Sequence, residues 1–420
     1  MAARRPPRFA RHLELRGDAG AGIAGLFPIA PNVQWAVDDA LPAAVAVYDD
    51  VFAPYEVLDQ LSLRASTSEE VWRYGRHVAD LIERATSVAD EVLFPAAQDV
   101  DRGLRRLDDG LRALADAGLF GISGPASSGG ADLGQSEARR VIAAVGSGCG
   151  ATFFVWVQHH GVMRTLRSSS NSELVERMLA PMCAGDVIAG VAFAHLRRHG
   201  PPAILAQPTD DGGWRLDGHA PWATSWGIAD WFCVAAASER DEIVWVKVRG
   251  FTAPGFTATP LALPVFAHTG TVAFEFDGYH AAADDVVSVS DLDSWRRADR
   301  RQAAIGQPAV LGVTERAIAL LGERDDSDSA DTAGRLGDEL AERWRHDEEL
   351  VVAGESIEVM SEHRAGCLDL ARRSTTALLA SIGGAGMDLS HPAQRLAREA
   401  DFYVIQAQTA DGRSAVLRSI

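Results

Sequence analysis

Imidazoles are the first side chains to weigh, because they titrate near neutral pH and serve as acids, bases or metal ligands. His159 and His160 are adjacent, and His195 and His199 stand close together. Neither pair has an acid or cysteine at ligand spacing, so they read as core or solvated side chains, and no metal is expected. Gly20-Ala21-Gly22-Ile23-Ala24-Gly25 spells G-x-G-x-x-G, which cradles a dinucleotide only between a strand and a helix. Pro28 and Pro31 follow at once and argue against that helix. Ser123, within Gly121-Ile122-Ser123-Gly124-Pro125, lacks the last glycine of a nucleophile elbow, so serine-hydrolase chemistry fails. Lys247 is the single lysine among 40 basic residues, which argues against Schiff-base chemistry and a Walker phosphate loop. Cys149, Cys183, Cys233 and Cys367 form no pair at metal or redox spacing and suit a reducing compartment.

The chain of 420 residues, 47% of them apolar, is long enough for a large compact unit or several subdomains. Its 58 acidic side chains leave a net charge of −18, which disfavours nucleic acid and anionic lipid as partners. No apolar run approaches the roughly 18 residues of a membrane span. The arginine-rich start, Met1 to Arg16, has no apolar stretch behind it, as a secretory signal would. The expectation is a soluble cytoplasmic protein without nucleic-acid or membrane partners.

The elements that must carry any chemistry fall into an order. Residues 1–66 show no sustained period and read as an extension. Helical spacing begins at Ser68, continues from Asp108 to a cap at Gly118, and recurs over 134–146 and 172–184. Between about 187 and 290 the period becomes two: Val244, Val246 and Val248 alternate with polar or opposite-face neighbours, as do Val272, Phe274 and Phe276. Turn-formers such as Gly200-Pro201-Pro202 separate these runs, which predicts an antiparallel sheet or small barrel. Helical spacing returns over 308–322 and 336–354, and again at Leu368, Ala371, Thr375, Leu378 and Ile382. The acidic Asp325–Asp331 run reads as an exposed loop. Four segments result: 1–66, 67–186, 187–290 and 291–420. Helices, strands and helices in blocks exclude a TIM barrel and a doubly wound sheet.

In this order, Leu114-Ala115-Asp116-Ala117-Gly118-Leu119-Phe120-Gly121-Ile122 followed by Gly129-Gly130 resembles an early stretch of the acyl-CoA dehydrogenase flavoprotein superfamily. Ala184-Gly185-Asp186 with Gly190–Ala194 resembles that family's entry to its first flavin-contacting strand. Trp222-Ala223-Thr224-Ser225, leading to Ala229-Asp230, resembles its W-I-T-S strand. Gly383-Gly384-Ala385-Gly386 with Pro392, Arg395, Leu396, Arg398 and Glu399 resembles its GGxG…P…RLxRD segment. The resemblance implies an α+β fold: an N-terminal α-helical domain, a middle antiparallel β domain and a C-terminal helical bundle. It also implies FAD, an acyl thioester on coenzyme A or a carrier protein as substrate, α,β-oxidation of that thioester, and a homodimer or homotetramer. Cofactor contacts carried over by motif are Phe193, Ala194, His195, Trp222, Thr224, Ser225, Arg335, Gly383, Gly384 and Thr409, with Thr224 near flavin N5.

Departures from the family pattern fall on the chemistry. Ala194, His195 and Leu196 stand where Thr, Glu and Pro are expected, and Arg335 is at most a remnant of the R-Q-F-G segment. The family base is a Glu nine residues after the Arg of RLxRD; counting from Arg398 gives Ala407, which cannot take a proton. Asp299, at the start of the C-terminal helices, His195 and His391 are the substitutes within reach of the pattern, with Gln302 nearest a second family position for the base. Two alternatives stay open: a flavin monooxygenase of the same superfamily using FMN or reduced flavin, which dispenses with the Glu, and a non-catalytic partner subunit.

Overall fold

A computed structural model describes residues 68–198, 200 and 202–420. The extension 1–66, its Gly20–Gly25 motif and His199 lie outside the described residues. The chain enters on α1 (Ser68–Val88), whose Val78, Leu81 and Ala85 fall on one buried stripe. A π-helical turn, Ala89–Leu93, leads into α2 (Phe94–Asp101), which has Pro95 in its first turn. Then come α3 (Asp108–Asp116), α4 (Gln135–Gly148), α5 (Gly150–Arg167) and α6 (Ser172–Ala184). Past the end of α3, Gly118 takes φ +72°, a backbone conformation that glycine reaches without strain. Asn171 caps α6 by accepting from the Leu174 N–H at 3.1 Å.

Eight strands follow: β1 (Ala189–Ala192), β2 (Ile204–Pro208), β3 (Trp214–Ala223), β4 (Trp231–Ser238), β5 (Glu242–Arg249), β6 (Phe256–Pro260), β7 (Val272–Ala281) and β8 (Val286–Asp291). They form one sheet in the order β6-β7-β3-β2-β4-β5-β8, with β1 also on β4. Pairing is antiparallel except that β1 and β2 both run parallel to β4. β4 is buried along its whole length, so both of its faces are covered.

The last block holds α7 (Leu292–Ile305), α8 (Ala309–Gly322), α9 (Ser327–Ala353), α10 (Ile357–Ile382), α11 (Pro392–Ile405) and α12 (Ala410–Ser419). The acidic run expected to be a loop is instead the start of α9. Asp326 caps it by accepting from the Ser329 N–H, and acids are favoured at a helix N-terminus. Helices from both ends of the chain share one core: Leu114, Phe153 and Trp156 lie in the same cluster as Val313, Leu368 and Tyr403. α4 and α8 meet backbone to backbone, since a Cβ on Gly312 would stand 2.0 Å from the Ala143 carbonyl oxygen. The buried Arg139–Asp347 pair, with contacts of 2.6 Å, ties α4 to α9, and His363 of α10 lies 3.3 Å from the same carboxylate. The sheet has an aromatic core of its own, in which Phe232, Phe256 and Phe274 meet edge to face. Among the described residues, no helix is long and apolar enough to cross a membrane.

Candidate active site

The end of β3 delivers Trp222, half-exposed, and then Thr224 and Ser225, both buried. Ser225 takes φ +84°, uncommon for a residue with a side chain, and its Oγ has no hydrogen-bond partner among the described residues. Thr224 Oγ1 lies 3.0 Å from Thr271 Oγ1, which lies 2.9 Å from Thr269 Oγ1, which donates to the Phe266 carbonyl at 2.8 Å. The segment between β6 and β7 is held against the β3 end by two backbone bonds, Ser225 N–H to Thr269 and Trp226 N–H to Gly270. From there it reaches the helices. Phe266 stacks on Phe154 of α5 and meets Phe402 of α11 edge-on, with ring centres 5.4 and 4.7 Å apart.

A second wall forms where β1 ends. Gly190 passes so close to β3 that a Cβ there would stand 3.0 Å from the Thr224 carbonyl oxygen. Beyond it, Phe193 precedes a short turn carrying Ala194 and the buried His195. Neither ring nitrogen of His195 has a partner among the described residues, and burial lowers its pKa to about 4, so the ring is neutral. Arg197 lays its guanidinium over the Phe193 ring and forms two bonds of 2.7 and 2.6 Å to Asp299 of α7. Asp299, the acid proposed from sequence as a substitute base, is therefore engaged in an ion pair.

A further piece is the turn between α11 and α12, the region of the family's usual base position. Ala407 takes φ +50° there. Arg364 of α10, 6% exposed, donates to the carbonyls of Ala303, Gln406 and Ala407 and has no carboxylate partner among the described residues. Its charge rests on the C-terminal ends of α7 and α11, where carbonyls carry the negative end of the helix dipole. Burial, with Arg197 nearby, pulls its pKa down to about 10, so it stays cationic at neutral pH. Beneath this turn, Arg395 and Glu399 form a fully buried pair at 2.6 Å beside the start of α5. Burial raises the Glu399 pKa, and its second oxygen has no partner among the described residues.

Comparisons with known proteins bear on the fold that carries these residues. The family model "Acyl-CoA dehydrogenase, N-terminal domain" matches residues 77–186. Benzylmalonyl-CoA dehydrogenase of Aromatoleum aromaticum is 28% identical over 173 residues, 40% of this chain and 46% of that protein. Butyryl-CoA dehydrogenase from Megasphaera elsdenii shares the fold with a TM-score of 0.66 at 16% identity, over 81% of this chain and 96% of that one. Residues 77–186 thus match the acyl-CoA dehydrogenase N-terminal domain, and the chain shares the fold of acyl-CoA dehydrogenases. A dibenzothiophene monooxygenase from Paenibacillus has the same fold, with a TM-score of 0.67 at 14% identity over 80% of this chain and 96% of that one. The chain spans less than half the length of the curated relatives it matches.

Within this fold, the residues singled out from sequence divide into groups. Phe193, Ala194 and His195 flank the sheet on the β1 side, and Trp222, Thr224 and Ser225 lie at the end of the neighbouring β3. Thr409 caps α12 by accepting from the Gly412 N–H, next to Ala407. His391 caps α11, with Nδ1 accepting from the Ala393 N–H at 3.1 Å, which occupies the lone pair a base would need. Gly383 and Gly384 lie exposed on the turn after α10, and Arg335 is exposed on α9, bonded to Thr332 of the same helix. Gln302 is bonded to Gln135. His159 bridges the Met182 carbonyl and the Ala189 N–H as a neutral core side chain. Sequence reasoning missed Thr269, Thr271 and Arg364. The threonines belong to no motif, and Arg364 has the helical spacing of any surface arginine.

Proposed function

We propose that this protein is a flavin-dependent oxidoreductase acting on an acyl thioester, carried on coenzyme A or a carrier protein, with FAD as its flavin. The observation that carries the reading is the β3 corner, where Thr224 and the unpartnered Ser225 Oγ are buried beside the half-exposed Trp222. An orphaned buried hydroxyl is costly unless a ligand engages it, and the polar edge of a flavin ring would do so. Thr224 and Ser225 would hold the ring's polar edge, and Trp222, Phe193 and His195 would wall it from water. The flavin would supply two-electron redox chemistry. Phe154, Phe266 and Phe402 form an aromatic cluster behind the corner, and Arg364 holds the turn at Ala407. The turn offers the thioester backbone groups and the Gln406 and Gln408 amides, but no carboxylate.

That last feature favours a second reading, a monooxygenase of the same superfamily, which needs no carboxylate base. With Asp299 paired and His391 capping a helix, His195 remains of the three candidates named from sequence, near Ala235 of β4 and His219 of β3. We further propose a homodimer or homotetramer, because Met387, Leu389, Ile405 and Leu417 are exposed apolar side chains on the last helices and the turns between them. Four buried free thiols suit a reducing, cytoplasmic setting. Anaerobic titration of the flavin-loaded protein with a panel of acyl-CoAs tests the reaction. Bleaching of the visible flavin band supports thioester oxidation, and a band indifferent to every thioester contradicts it in favour of the monooxygenase.

A further inference from the structure

The three threonine hydroxyls behind Ser225 form a chain whose direction is fixed. A carbonyl only accepts, so Thr269 Oγ1 spends its one proton on Phe266 O. Thr269 then accepts from Thr271, and Thr271 accepts from Thr224. All three side chains are buried, at 0% for Thr269, 6% for Thr271 and 4% for Thr224, so water does not substitute for any link. With its proton committed to Thr271, Thr224 Oγ1 faces a ligand with lone pairs alone.

We infer that this polarised relay makes the site select reduced flavin, whose N5 carries a hydrogen, over oxidised flavin, whose N5 is a bare acceptor. The inference rests on the flavin reading above and on Thr224 meeting N5, as the motif implies. For oxidised flavin to receive a hydrogen bond from Thr224, the whole relay must turn around and Thr269 must leave the Phe266 carbonyl. That carbonyl keeps the Thr269 backbone N–H at 3.1 Å, so the reversed arrangement is intact but one hydrogen bond short of the reduced complex. One net hydrogen bond corresponds to roughly a three- to tenfold difference in affinity. A site built this way takes up flavin reduced elsewhere, or makes its bound flavin easier to reduce than free flavin.

The test is an anaerobic titration of the full chain with oxidised and with dithionite-reduced FAD and FMN, giving the ratio of the two dissociation constants. Wild type and Thr271→Ser, which rebuilds the relay, should share one ratio in favour of reduced flavin. Thr271→Val returns the Thr224 proton to the ligand, and Thr269→Val removes the anchoring end. Either should shift the ratio toward oxidised flavin by roughly three- to tenfold. Folding of each variant is checked by circular dichroism, and the two valine variants back each other. A role in packing alone would weaken both forms together, and an unchanged ratio in a folded valine variant overturns the inference while leaving flavin binding in place. Wild type that binds neither form overturns the flavin reading, and the inference with it.

Discussion

Thr224 and Ser225 were singled out from sequence because the motif holding them is contiguous, and the structure sets them, buried, just past the end of β3. Thr269 and Thr271 were not, because they reach Thr224 only through the pairing of β3 with β7, and no local spacing reports that contact. Replacing Trp222 by Ala together with Thr224 by Val should abolish flavin retention, read from the visible absorbance after desalting; unchanged flavin content would show the site misplaced. The buried histidines make a separate prediction. Burial lowers His159 and His195 to about 4 from an ordinary 6.5, so the unfolded chain binds their protons first as pH falls. Stability is then intact above pH 6.5 and lost between there and pH 4, by about 2 kcal/mol for each histidine near pH 5. Urea midpoints at neutral pH and near pH 5 measure this loss, and equal midpoints would contradict it.

Elements with a clean period were read from sequence, and those whose burial is unusual were not. α5 escaped because Phe153, Trp156, His160, Val162 and Met163 bury it nearly all round and leave no polar face to mark a helix. The start of α9 escaped because acids that cap a helix look like an acidic loop. At this scale the turn at Ala407 is the decisive piece, and Arg364 is its anchor. Arg364→Leu should remove three bonds to helix-end carbonyls, lower stability by about 3 kcal/mol and speed amide exchange over residues 406–412. Denaturant unfolding and mass-resolved hydrogen exchange read the two effects, and unaltered exchange there would show that the turn holds itself. At the α4–α8 crossing, Gly312→Ala places a methyl carbon against the Ala143 carbonyl and should cost about 2 kcal/mol or more, seen as a lower denaturation midpoint.

For the whole molecule, blocks of helix, strand and helix were visible in the order of periods, but their assembly was not. Helices from before and after the sheet share one core, so the two helical segments depend on each other for burial. Periodicity locates a face without naming what covers it. The same holds for the apolar side chains left outside at Met387, Leu389, Ile405 and Leu417, for which light scattering should return the mass of a dimer or tetramer. The measurement that bears most directly on the whole account is equilibrium binding of oxidised and reduced FAD to the purified protein, with the Trp222→Ala, Thr224→Val variant beside it. The account predicts stoichiometric binding by wild type, lost in the variant. Failure of wild type to bind either form, or binding undiminished in the variant, would contradict it.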